Sequence, residues 1–135
     1  MATYGEVTRR ITSELRADRA FDAATLKDAV YDSMRDIAKR CIPLSLISQG
    51  NADPLFRWID NVSFIRKMAV PSGVLTDTID IDDLLQEAVV WGACKILTAS
   101  KKADYHTLMM GAINDYQWDI YEGETNVVFD EGCEA

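Results

Sequence analysis

The chain has 135 residues, of which 48% are hydrophobic, and a formal net charge of −8. That length forms one domain able to bury roughly two-thirds of its unfolded surface, and the apolar fraction excludes wholesale disorder. The negative charge argues against a surface that grips duplex nucleic acid, because such a grip is built from Lys and Arg meeting phosphates.

In chain order, Thr3 and Glu6 have capping-box spacing, and Tyr4, Val7, Ile11 and Leu15 share one face, which predicts a first helix from about Thr3 to Ala17. Its other face carries Glu6, Arg9, Arg10, Glu14 and Arg16 and reads as a solvated side. Asp18-Arg19 ends it. Asp22 opens a second helix, with Phe21 and Leu26 placed for a hydrophobic staple. Leu26, Val30, Met34, Ile37 and Cys41 form its buried stripe, widened by Ala29, Ser33 and Ala38, and Pro43 stops it. From Pro43 to Asp80 the period changes. Gly50-Asn51 and Asp53-Pro54 signal turns, and Leu55–Ile59, Ser63–Val70 and Val74–Ile79 read as short strands, with Pro71-Ser72-Gly73 between the last two.

Residues 79–122 then read as an αα-hairpin with a short link at Ser100–Ala103. Asp80 is placed to cap the third helix, with Ile79 and Leu84 at staple spacing. The run Asp80, Asp82, Asp83 suits the helix dipole, and no calcium-loop spacing makes it a metal site. The third helix places Ile81, Leu85, Ala88, Val89, Gly92, Ile96 and Ala99 on a core stripe. The fourth does so with Tyr105, Leu108, Met109, Ala112, Ile113, Tyr116 and Ile120. The third is apolar almost all round, with Leu84 and Trp91 on one flank and Val90, Cys94 and Leu97 on the other. Met110, Trp118 and Tyr121 project from the fourth. In a domain this small, surplus apolar faces favour a subunit interface over a monomer core, so Trp91, Met110 and Trp118 are candidate partner-binding residues.

After Gly123 the sequence becomes an acidic tail with Val127, Val128 and Phe129 in a row, further candidates for partner contact. Ordering a dozen residues costs on the order of 1–2 kcal/mol each. Three buried side chains return about 1.5–3 kcal/mol apiece, so an extended tail that orders only on docking is expected. The expected architecture is mainly α: a four-helix antiparallel bundle over residues 1–122, a strand-rich insertion at 43–80, and a C-terminal tail at 123–135.

No catalytic constellation is visible. His106 is the only histidine, on a mostly polar side of its helix, with no nucleophile marked nearby. The seven glycines are scattered and form no phosphate loop. Four dibasic pairs are too dispersed for a nucleic-acid patch. Cys41, Cys94 and Cys133 lack framework spacing, which points to reduced thiols. MATYGEVTRR has no leader core and no apolar run reaches a membrane span, so a cytosolic chain is expected, without metal, cofactor or membrane association.

The order of these elements carries a resemblance. A capped first helix is followed by an F-D-x-x-x-L start at Phe21, a strand-rich middle containing SFIRKMAV, and an I-D-I-D run at Ile79 leading into D-L-L-Q-E-A-V-V. A final helix with a spaced aromatic stripe completes the pattern. Residues 3–122 resemble the head-to-tail adaptor (connector, or head completion) proteins of tailed bacteriophages. The resemblance implies a structural virion protein rather than an enzyme. Twelve copies would form a ring under the portal, assembled in the host cytoplasm and carried in the virion neck. The ring would extend the DNA channel without sequence-specific contact and give the tail or stopper protein its platform. By the same resemblance the strand-rich middle is an arm toward a neighbour or the next tail component, and the tail is the portal contact. The competing expectation is a non-viral helical module that docks a partner through the Trp91 and Trp118 faces.

Overall fold

A computed structural model describes residues 3–15, 21–50, 53–98 and 100–134, with residues 121–134 described through their backbone. The chain is mainly helical: α1 (Tyr4–Leu15), α2 (Ala23–Arg40), α3 (Gln86–Leu97) and α4 (Lys102–Glu134). Between α2 and α3 lie β1 (Ile47–Gln49), β2 (Leu55–Trp58) and β3 (Ser63–Arg66), paired antiparallel in the order β1-β3-β2. Single 3-10 turns precede β1 at Leu44–Leu46 and α3 at Asp83–Leu85.

Helix α1 starts where the Thr3 hydroxyl accepts the Glu6 N–H at 3.2 Å. The N–H groups of Tyr4 and Gly5 donate to Asp77 O (2.8 Å) and Leu75 O (2.9 Å), so a distant loop satisfies donors that a helix leaves open at its start. The expected end of α1 at Ala17 and Asp18-Arg19 lies outside the described residues. Helix α2 opens as its sequence predicts, with Thr25 N–H donating to Asp22 Oδ1 at 2.7 Å. Its expected stripe is buried at Val30, Met34, Ile37 and Cys41, while Phe21 and Leu26 are partly buried against the same core.

Helix α3 is the hub, packing on α1, α2 and α4. Ala88, Val89, Val90, Ala93 and Cys94 are all fully enclosed. That coverage from several sides revises the expected stripe. Val90 and Cys94, assigned to a flank, are core, whereas Ile96 and, on α4, Leu108 are exposed. The α2–α3 crossing is close at Gly92. Ser33 Oγ donates to Val89 O at 2.8 Å, and a Cβ on Gly92 would overlap that hydroxyl and lie 3.1 Å from Met109 Sδ.

Three expectations are corrected. Val74–Ile79 is not a strand, because its backbone is spent capping α1, with one isolated bridge from Thr78 to Thr3. The third strand is instead Ile47–Gln49, too short to show an alternating pattern. Asp80 does not cap α3: its carboxylate is taken by Arg66, and α3 begins only after the 3-10 turn. Finally, the expected extended tail continues α4 as helix to Glu134. Gly123 and Gly132 each cost the helix about 1 kcal/mol, and no proline follows Pro71 to force a stop.

Leu85 is fully buried and Ile113 nearly so. Truncating either to Ala is expected to destabilise the fold by about 2–5 kcal/mol in denaturant unfolding. Gly92→Ala should improve helix propensity by about 1 kcal/mol yet destabilise on balance, since overpacking costs typically 1–3 kcal/mol and the Ser33 hydrogen bond is lost as well. Much of that penalty should disappear in a Ser33→Ala background, and a double-mutant cycle showing simple additivity would contradict the close crossing.

Candidate interaction surfaces

The sequence-predicted partner residues are not equivalent in the fold. Trp91 is half-buried. Its ring stacks on Tyr105 of α4 (centroids 6.0 Å apart, interplanar angle 14°), and the Arg10 guanidinium lies 6.0 Å from its centroid. Arg10 closes that corner by pairing with Glu87 at 2.7 Å. Trp91 is thus a joint between α1, α3 and α4. Met110 is also half-buried, packs on the core, and its sulfur lies 3.7 Å from Arg40 Nη1. Trp118, by contrast, is 58% exposed on α4. The side chains of Val127, Val128 and Phe129 lie outside what is described.

Sequence reasoning missed the apolar surface of the sheet. β3 is the central strand, with Ser63, Phe64 and Ile65 buried, so β1 and β2 are both edges. Trp58 on β2 packs edge-on against Phe64 (5.4 Å) and still leaves 56% of its surface exposed. Val62, in the turn beyond it, is 65% exposed, and Leu55 also faces solvent. Asp60 shapes that turn by accepting the N–H groups of Val62 and Ser63 at 2.8 and 2.7 Å, which pulls its carboxyl below the usual range. A signal was present: Trp58 stands two residues before the turn-forming Asp60-Asn61 and Val62 directly after it, both large and apolar.

Polar contacts fasten this middle segment to the helices. Arg66, at the end of β3, grips Asp80 with two hydrogen bonds of 2.6 and 2.8 Å, and Ala69 N–H adds a third at 2.8 Å. Arg66 chiefly, and then the Ala69 amide, outweigh burial and hold the Asp80 carboxyl below its ordinary value of 3.8. Asp82 accepts the Tyr116 hydroxyl at 2.6 Å and both the N–H and the hydroxyl of Ser45, while Tyr116 itself accepts Leu44 N–H at 2.9 Å. Burial first, then the Asp82 hydrogen bond, push the Tyr116 phenol well above its usual value. Arg57 on β2 donates to Ala38 O (2.7 Å) and Cys41 O (2.9 Å), closing the C-terminal end of α2.

These contacts border a cleft of about 630 Å3 between the end of α2, the sheet and α4. Lys39, Arg40 and Arg57 line it against one carboxylate, Asp60, and Ile42, Leu44 and Ile47 supply half-open apolar wall. The buried thiols are muted, Cys41 at the cleft and Cys94 in the core. Burial pushes the Cys41 thiol up to about 11 and Cys94 to about 12, so both are protonated at neutral pH. His106 Nδ1 lies 3.3 Å from Lys95 Nζ, which in turn pairs with Asp36 at 3.4 Å. Among the described residues, no group of three or more His, Cys, Asp or Glu side chains is placed to hold a metal ion, and no helix is long and apolar enough to cross a membrane.

Because the Asp80 carboxyl is depressed in the folded state, the unfolded chain takes up that proton first. The stability it contributes is full above about pH 4 and is lost as pH falls through the lower folded value. Asp80→Asn is therefore expected to unfold more easily at pH 7, by about 1.5–3 kcal/mol, with the gap to the parent closing below about pH 4. Chemical denaturation across pH 2–7 checks this, and a gap independent of pH would contradict it. Comparison with protein-family models, with curated proteins and with solved structures finds no match for this chain.

Proposed function

We propose that this chain is a structural head-to-tail adaptor of a tailed bacteriophage, the subunit of a ring of twelve that docks on the portal. On this reading the ring extends the DNA channel and presents a platform to the tail or stopper protein, with no reaction and no cofactor. It is assembled in the host cytoplasm and ends in the virion neck. The subunit is a four-helix antiparallel bundle, with the sheet as an arm inserted between its second and third helices.

The observation that supports it best is the order of elements. Two helices, a short-stranded antiparallel sheet, and two further helices follow one another along the chain, which is the order the sequence resemblance implies. Two further features fit. The sheet carries large exposed apolar groups at Trp58, Val62 and Leu55, as an element that seats against another protein would. The net charge of −8 suits a wall past which DNA slides, because such a wall gains nothing from pairing with phosphates.

The test is addition of the purified chain to portal rings or portal-bearing heads, followed by sedimentation and electron microscopy. A twelve-fold ring on the portal is expected, and a chain that remains unbound overturns the reading. Trp118→Ala should keep a native-like circular dichroism spectrum while weakening addition about 30-fold or more, as loss of about 2 kcal/mol at an interface centre implies. Unfolding of that variant would assign Trp118 to the core instead.

A further inference from the structure

We infer that the cleft at the C-terminal end of α2 receives the C-terminal segment of a second copy of this chain. This goes beyond the adaptor reading and holds or fails whether or not the protein docks on a portal.

The first argument is charge. In a chain of net charge −8, this cleft gathers Lys39, Arg40 and Arg57 against Asp60 alone. Arg57 is held by the carbonyls of Ala38 and Cys41 rather than by a carboxylate, while Arg40 shares its charge with Asp36 at 3.1 Å. The segment 124–134, ETNVVFDEGCE, has the opposite character: Glu124, Asp130, Glu131 and Glu134, with no Lys or Arg. The second argument is apolar match. Ile42, Leu44 and Ile47 are left partly open along the cleft. The segment carries the triplet Val127, Val128, Phe129 between its acidic ends, so one surface offers an aliphatic wall with cations and the other an apolar centre with anions.

The third argument decides which copy. Gln117 and Ile120 of α4 themselves form one wall of the cleft, and α4 runs without a break to Glu134. At 1.5 Å of rise per residue, residues 127–129 lie about 10–14 Å further along the helix axis and away from their own cleft. Only another molecule can present its cleft to them. Donor and acceptor are then different surfaces, so the contact is head-to-tail and propagates to a ring when the rotation closes. Electrostatic attraction guides the approach of the occupant.

The experiment uses a fluorescently labelled peptide of residues 121–135 titrated into the full-length protein and into Lys39→Glu and Leu44→Asp variants, with circular dichroism confirming that each variant is folded. Binding to the parent is expected, weakening at least tenfold between 50 and 300 mM salt. It should weaken at least tenfold in either variant and vanish for a peptide carrying Val128→Asp and Phe129→Asp. In parallel, the chain truncated after Gly123 should lose self-association in native mass spectrometry, measured separately from its binding to portal rings. Absence of peptide binding, or binding indifferent to both cleft variants, overturns the inference. So does a truncated chain that still self-associates and loses only portal binding, which would place the segment against the portal.

Discussion

Burial of α3 is the constraint on which the remaining structure depends. A helix of 12 residues that hides Ala88, Val89, Val90, Ala93 and Cys94 needs cover on several sides at once, and α1, α2 and α4 supply it. Small residues make this possible. Gly92 lets α2 approach until Ser33 reaches a carbonyl of α3, and the alanines keep the opposing helices near. Buried methylenes at about 25 cal/mol per Å2 provide the stabilisation, but the close approach decides which helix sits at the centre.

The irregular chain between α2 and α3 adds Leu46, Ile65, Met68, Ile79 and Ile81 to the same core. Paired polar groups fix it to the helices as well. Arg66 with Asp80 ties β3 to the approach to α3, and Arg57 ties β2 to the end of α2. Asp82 with Tyr116 and Ser45 ties the 3-10 turn to α4. Even the loop before Asp80 is anchored, through its carbonyls to the first turn of α1. Several of these contacts satisfy partly buried backbone groups at helix ends, as Arg57 does for the carbonyls of Ala38 and Cys41.

This division of labour leaves part of the sheet and of α4 exposed to solvent. Trp58, Val62 and Trp118 contribute little to the helical core, yet they present large apolar area to solvent. The proposed adaptor reading gives such groups partners. The cleft beside α2 fits the same reading without requiring it, since its cations and aliphatic wall match the acidic, apolar end of another copy.

The sequence by itself determined that there are four helices and where the first two start. Thr3 and Asp22 cap as their positions predict, and Val7, Ile11, Val30, Met34 and Ile37 are buried as their spacing predicts, because capping and the 3.6-residue period act within a few residues. What only the tertiary structure decided is every choice that depends on a distant partner. Asp80 stands at a good capping position, yet Arg66 takes its carboxylate from 14 residues away. Val74–Ile79 has strand-like composition, yet its carbonyls close α1. Trp91 is marked by local pattern as an outward aromatic, but Tyr105 and Arg10 enclose it. Ile96 and Val90 exchange roles because the helices around α3 cover it from directions that its own periodicity does not encode.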